Sequence, residues 1–426
     1  MKYQDYSREQ RDAALSQLWN DFNQIKEKSL KLNMARGVPG PDQLTLSLGI
    51  LNVLYAEADC RASDGTDCRN YGVMDGIPEC KQLMAQVLGV RPEMVMIGGN
   101  SSLNMMFDTV SCFMNKSVTP GTPPWSLVPE RKFLCPVPGY DRHFGITEYF
   151  GFQMIPVPMN ENGPEMDIVE ELVKDPSVKG MWCVPKYSNP TGVTYSDEVV
   201  RRIAALQPAA KDFRVMWDDA YCIHDLTDKP DELLNIFDEC EKTGNIDLPI
   251  AFCSTSKITF PGSGVAAMAA SENNMKVIKE KYKYQTIGFD KLNMLRHVRF
   301  FGDLDGMKAH MKKHAQVLRP RFDIVLDKLS EQLDDTGVVW YNHPRGGYFV
   351  SVNVMDGTAK RVVELCKEAG VILTGAGATY PYGNDPYDSN IRIAPSFPSL
   401  EDLSSAMDVF CLCARIAALE KLNEQN

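Results

Sequence analysis

The chain has 426 residues, 44% of them hydrophobic and 24% charged, with a formal net charge of −11. That is the composition of a globular protein long enough for a large core and two domains, and its acidic balance excludes nonspecific nucleic-acid binding, which needs clustered positive charge. The opening "MKYQDYSREQRDAAL" lacks an apolar signal core, no long apolar run follows, and the twelve cysteines form no CxxC pair, so a cytoplasmic protein with reduced thiols and no membrane span is expected. The six histidines supply no HExxH spacing, and no metal is expected.

From the cap candidate Ser7 to about Asn33, the spacing of Leu15, Leu18, Trp19, Phe22 and Ile25 predicts a helix. "ARGVPGPDQ" then breaks it as a Gly- and Pro-dense loop. From about Asp75 onward, short apolar runs alternate with helical patterns. "MVMIGG", "KFLCPVP", "FQMIPVPM", "GMWCVPK", "FRVMWDD", "PIAFCS" and "GVAAMAA" read as strands, separated by helices such as "SSLNMMFDTVSCFM" and "SDEVVRRIAAL". Strands apolar on both faces, with amphipathic helices between them, predict a mostly parallel sheet of seven strands between helix layers. After about Lys308 the pattern changes. A long basic helix precedes strand "GGYFVSVNV", helix "AKRVVELCKEAG", strands "VILTGAG" and "NIRIAPS", and a final helix from Leu400. This predicts a smaller α+β domain at residues 308–426, a large domain at 66–307, and an N-terminal arm and helix (1–65) that joins the small domain.

In an open parallel sheet, ligands bind beyond the carboxyl ends of the strands. After "MVMIGG" come Asn100, Ser101 and Ser102, where hydroxyls and helix N–H groups make an anion cradle. "YSNPTG" adds the amide of Asn189, and "DDAY" adds the acid Asp218 and the phenol Tyr221. "STSK" ends in Ser254, Ser256 and the amine Lys257. Arg392 stands inside the apolar strand "NIRIAPS", where a guanidinium needs an anionic partner. Singly, each reads as a cap, a turn or a solvated residue. Together they fit a phosphorylated pyridine aldehyde: the lysine forms an imine and the acid keeps the ring nitrogen protonated. Amide and phenol bond the ring oxygen, and the arginine takes a substrate carboxylate.

The motifs "NPTG" (Asn189–Gly192), "DDAY" (Asp218–Tyr221), "STSK" (Ser254–Lys257) and "NIRIAPS" (Asn390–Ser396), in this order, resemble those of the class I aminotransferases, which are α/β, fold type I pyridoxal 5′-phosphate (PLP) enzymes. The resemblance implies Lys257, Asp218 and Tyr221 as catalytic residues. It implies Asn100, Ser101, Ser102, Tyr140, Asn189, Ser254 and Tyr71 as further cofactor ligands, with Tyr140 stacked on the ring and Tyr71 reaching a neighbouring subunit of a homodimer. Gly49, in "LSLGILN", would lie in the stretch covering the substrate, and Asn189 and Arg392 would contact it. "STSKITFPGSGV", "GGNSSLNMMFD" and "PGYDRHF" are similar to an atypical bacterial branch of aspartate aminotransferases. The implied reaction moves an amino group from L-aspartate to a 2-oxo acid such as 2-oxoglutarate; a β-lyase or a PLP-domain transcription regulator is the alternative.

One departure stands out. The family usually carries a phosphate-binding arginine about eight residues after the lysine, and here Gly264 or Val265 occupies the place. A second cation for a side-chain carboxylate has three candidates in Arg142, Arg296 and Arg299.

Overall fold

The computed structural model describes residues 2–425. The Ser7 cap forms as expected: its hydroxyl accepts from the Gln10 N–H while the Gln10 side chain accepts from the Ser7 N–H, opening the helix Arg8–Glu27. That helix stops earlier than its periodicity predicts. Ser29 turns into the left-handed region at φ 50°, which frees β1 (Leu32–Asn33) to pair in parallel with a distant strand.

Next along the chain come β2 (Val95–Ile97), β3 (Lys132–Val137), β4 (Gln153–Asn160) and β5 (Gly163–Pro164). β6 (Val178–Cys183), β7 (Arg214–Asp218), β8 (Pro249–Ser254) and β9 (Ala266–Ala270) follow. They build one sheet of order β2-β9-β8-β7-β6-β3-β4-β5. The seven strands expected are all present; the eighth, β5, is a two-residue hairpin return pairing Gly163–Pro164 with Met159–Asn160. β3, β4, β6, β7 and β8 pair in parallel, and β9 runs against both β8 and β2. Every residue of β6, β7 and β9 is buried, so these strands carry helices on both faces. A parallel sheet has one carboxyl edge, and the candidate residues after β2, β3, β6, β7 and β8 therefore meet there.

The later strands are β10 (Val339–Tyr341), β11 (Val350–Val354), β12 (Val371–Ile372) and β13 (Asn390–Ile393). β10, β11 and β13 form an antiparallel sheet, while β12 takes β1 as its partner. The N-terminal Leu18 and Phe22 share one apolar core with Leu318 and Phe322 of the long helix Leu304–Leu333, Val350 of β11 and Phe410 of the last helix, Leu400–Glu424. All twelve cysteines are free thiols, ten of them buried. Among the described residues no helix is long and apolar enough to cross a membrane, and no group of three potential metal ligands occurs.

Candidate active site

The carboxyl edge of the large sheet opens into a cavity of about 620 Å³, completed by residues 35–38, Phe349 and Arg392. β7 ends at Asp218, which is 3% exposed. His143 Nε2 donates to its Oδ2 at 3.0 Å, and the imidazole stacks on Trp182 at 4.3 Å. Asp218 Oδ1 is buried without a hydrogen-bond partner among the described residues. β8 delivers Lys257 three residues past its end, and the amine lies 4.9 Å from the Tyr221 ring centroid and 5.9 Å from that of Tyr348. Loss of water around the amine pushes its pKa down, against the opposing field of Asp218. Burial pushes the Tyr140 phenol up to about 12 and the Tyr221 phenol well above its ordinary value, so both are protonated donors.

Arg392, 7% exposed on β13, enters from the small sheet. Its Nη1 donates to Asp141 Oδ1 at 2.9 Å and to Asn189 Oδ1 at 3.2 Å, and the guanidinium lies 4.8 Å over the Phe349 ring. Its Nε has no hydrogen-bond partner among the described residues. Opposite, Ser101 caps the helix Ser102–Asn115 by accepting from the Leu103 N–H, and Ser254 Oγ donates to Ser256 Oγ. This side holds hydroxyls and a helix N-terminus, the makings of an anion cradle.

These residues fit PLP. The unpartnered Asp218 oxygen calls for an N–H donor, as a protonated pyridine nitrogen is. The unpartnered Arg392 Nε calls for an acceptor, as a substrate carboxylate is. A buried polar atom left without a partner costs on the order of 1–3 kcal/mol, so a ligand that satisfies both is favoured.

Nine of the residues expected to catalyse or to bind cofactor or substrate line this cavity: Ser101, Ser102, Tyr140, Asn189, Asp218, Tyr221, Ser254, Lys257 and Arg392; of the three second-cation candidates, Arg142 lines it too. Asn100 lies beside it, its amide donating to the Pro261 carbonyl and its own carbonyl accepting from Ser256. Tyr71 is 82% exposed and does not line the cavity. Gly49 does not line this cavity; it sits in the short helix Leu48–Asn52, where a Cβ would meet the Phe300 ring at 3.3 Å. Residues 35–38 line it instead. This segment is pinned because the Met34 N–H donates to Ile372 and the Ala394 N–H donates to the Met34 carbonyl. A Cβ at Gly37 would come within 2.5 Å of Phe349 Cζ, so a larger residue there would require the Phe349 ring to shift. The segment's only sequence signal was the Gly/Pro density of "ARGVPGPDQ".

The structure also accounts for the absent arginine. At Gly264 a Cβ would crowd the Asn100 carbonyl at 3.1 Å and Thr255 Oγ1 at 3.2 Å, and Val265 is buried with its N–H donating to Thr255 Oγ1. A side chain at Gly264 would require these neighbours to give way, and Val265 is packed in the core. Of the other residues that sequence reasoning passed over, Asp141 and His143 lie in the quoted "PGYDRHF", and Arg36 and Phe349 carried no local signal.

Comparison with known proteins agrees with this geometry. The family model described as "Aspartate amino-transferase" matches residues 6–426. An aspartate aminotransferase of Corynebacterium glutamicum is 48% identical over 417 residues, covering 98% of this chain and 96% of the relative. The crystal structure of an aspartate transaminase from Corynebacterium glutamicum superposes with a TM-score of 0.96 at 47% identity, over 99% of both chains. An α-aminoadipate aminotransferase of Thermus thermophilus, complexed with N-(5′-phosphopyridoxyl)-L-leucine, shares the fold at a TM-score of 0.73 and 20% identity, covering 94% of this chain and 95% of that one. The chain belongs to the aspartate amino-transferase family, within the fold type I, PLP-dependent aminotransferases whose motifs it carries.

Proposed function

We propose that the protein transfers the amino group of L-aspartate to a 2-oxo acid, 2-oxoglutarate in the first instance, with PLP carried on Lys257. The observation that carries this reading is the meeting, in one cavity, of an amine of lowered pKa, a buried carboxylate with a free oxygen, and a buried guanidinium with a free N–H. When bound, the cofactor supplies an electron sink that acidifies the substrate's Cα–H. Asp218, held by His143, keeps a proton at the ring nitrogen. Asn189 and Tyr221 address the ring oxygen and Tyr140 the ring face. Ser101, Ser102 and Ser254 hold the phosphate, with Asn100 bracing Ser256 beside them. Arg392 orients the α-carboxylate. Lys257, favoured as a free amine by its dry surroundings, takes the proton from Cα and returns it one position along. In this reading Tyr71 serves a partner copy's site, so the working form is a homodimer in the cytoplasm, with domain boundaries near residues 65 and 307.

Purified protein mixed with PLP should develop a visible absorption band, and L-aspartate should bleach it with formation of oxaloacetate. Lys257→Ala should abolish turnover, by 10⁴-fold or more. Pyruvate with ammonia as products would assign β-elimination instead, and a band surviving Lys257→Ala would sink the reading.

A further inference from the structure

A second cavity, of about 410 Å³, shares no lining residue with the first. The end of β7 divides the two. Successive side chains of a strand point to opposite faces of its sheet, and Asp218 lines the first cavity while Trp217 and Asp219 line the second. Asp219 still belongs to the strand's ladder, its N–H donating to the Phe252 carbonyl at 2.8 Å. The residue is 9% exposed, its Oδ1 is buried without a partner, and no hydrogen bond or ion pair reaches its carboxyl among the described residues. Lys186 lines the same cavity but is committed elsewhere: its Nζ donates to the Cys222 carbonyl at 2.9 Å and to Asp225 Oδ1 at 3.0 Å. Around the acid the walls are apolar, from Val87, Leu88, Trp217, Leu234 and Ala251.

An acid buried without a partner costs stability, and a donor that enters the cavity offsets that cost. The walls decide which donor fits. An anion would meet Asp219 together with Asp231 and the exposed Glu232 at the rim. It would find no free helix end either, because Asn235 Oδ1 already accepts from the Phe237 and Asp238 N–H groups that open the helix Ile236–Thr243. A metal ion would lack ligands, since no group of three potential ligands occurs among the described residues. A purely apolar molecule would leave the carboxyl as it is. We propose that this cavity binds a small organic cation, a guanidinium or ammonium group on a short apolar body, with its head on Asp219 and its body against Trp217, Leu88 and Leu234. Charge-assisted N–H bonds to a carboxylate hold the head, and the acidic rim attracts it. The site is separate from the transamination chemistry and does not depend on it.

The test is calorimetry on PLP-loaded protein with n-propylguanidinium as the probe, a cation whose head is not an aldehyde-reactive primary amine. Binding should saturate with a Kd on the order of 1 mM. The neutral isostere n-propylurea should bind at least tenfold more weakly. Asp219→Asn, which removes the buried acid, should lower the probe's affinity at least tenfold. Leu234→Trp, which fills the cavity and keeps the acid, should lower it at least fivefold. Both variants are first matched to wild type by circular dichroism, so that lost binding is not lost folding. No saturable binding up to about 10 mM would overturn the proposal. Propylurea binding as tightly as the cation would do the same, because the acid would then select nothing. Affinity kept within twofold in either variant would put the probe elsewhere on the protein and overturn the site.

Discussion

The two anion-holding ends of this cavity are built from opposite materials. At the Ser101–Ser254 end there are hydroxyls, a helix N-terminus and a glycine where a cation would otherwise stand. At the Arg392 end there is a guanidinium braced by Asp141, Asn189 and Phe349. The contrast separates two tasks. A cofactor that stays can be held by fixed dipoles in a closed cradle, which need no mobile charge. Substrates that enter and leave gain from charge at the mouth, which attracts them from a distance and aligns them on arrival.

The largest expected effect is at the charged end. Arg392→Gln leaves Asp141 without its cation and removes the carboxylate anchor, so kcat/KM should fall about 10²–10³-fold for L-aspartate and L-alanine alike. Cofactor affinity, measured by PLP titration, should stay within a few-fold of wild type; an equal loss there would merge the two ends into one. At the other end, Gly264→Arg places a cation at one of the two positions where the family resemblance leads one to expect an arginine. The Cβ already crowds Asn100 and Thr255, so PLP affinity should fall about tenfold rather than rise. Tighter binding would show that dipoles alone are not what this cradle was shaped for.

The smallest effect on either end is expected at Asp219, the neighbour of Asp218 on the shared floor. It does not line this cavity, and burial pushes its carboxyl up to about 7 while Lys186 pulls the other way. The folded chain therefore holds this proton to about pH 7 and the unfolded chain only to about 3.8, so stability falls as pH rises between the two values. Asp219→Asn removes that cost. The gain in unfolding free energy should be larger at pH 8 than at pH 5 by on the order of 2 kcal/mol, read from urea midpoints. Equal gains at both pH values would show that the buried charge is not the cause.

The sheet and most of the site were legible because strand periodicity is local and a parallel sheet gathers its carboxyl edge by geometry alone. Asn189, Asp218, Tyr221 and Lys257 each follow an apolar run, and their order could be read without any fold. Gly49 and Gly37 show where this stops. Gly49 lies in the short helix Leu48–Asn52 and Gly37 in a loop, and only the pairing of Met34 with Ile372 and the packing of Phe349 decide that Gly37 borders the cavity. Arg36 and Arg142 teach the same lesson for charge, since only the fold shows that both line the cavity that Arg392 enters from a distant strand.

The amino-acid sequence by itself determined the chemistry: an amine, an acid, a phenol, an amide and a guanidinium in family order, on strands whose apolar runs dictate a parallel sheet. Tertiary structure alone decided which orphan atoms face the cavity, which glycine borders it, and why no cation follows Lys257. These depend on contacts between segments hundreds of residues apart, such as Arg392 with Asp141. No local pattern encodes them.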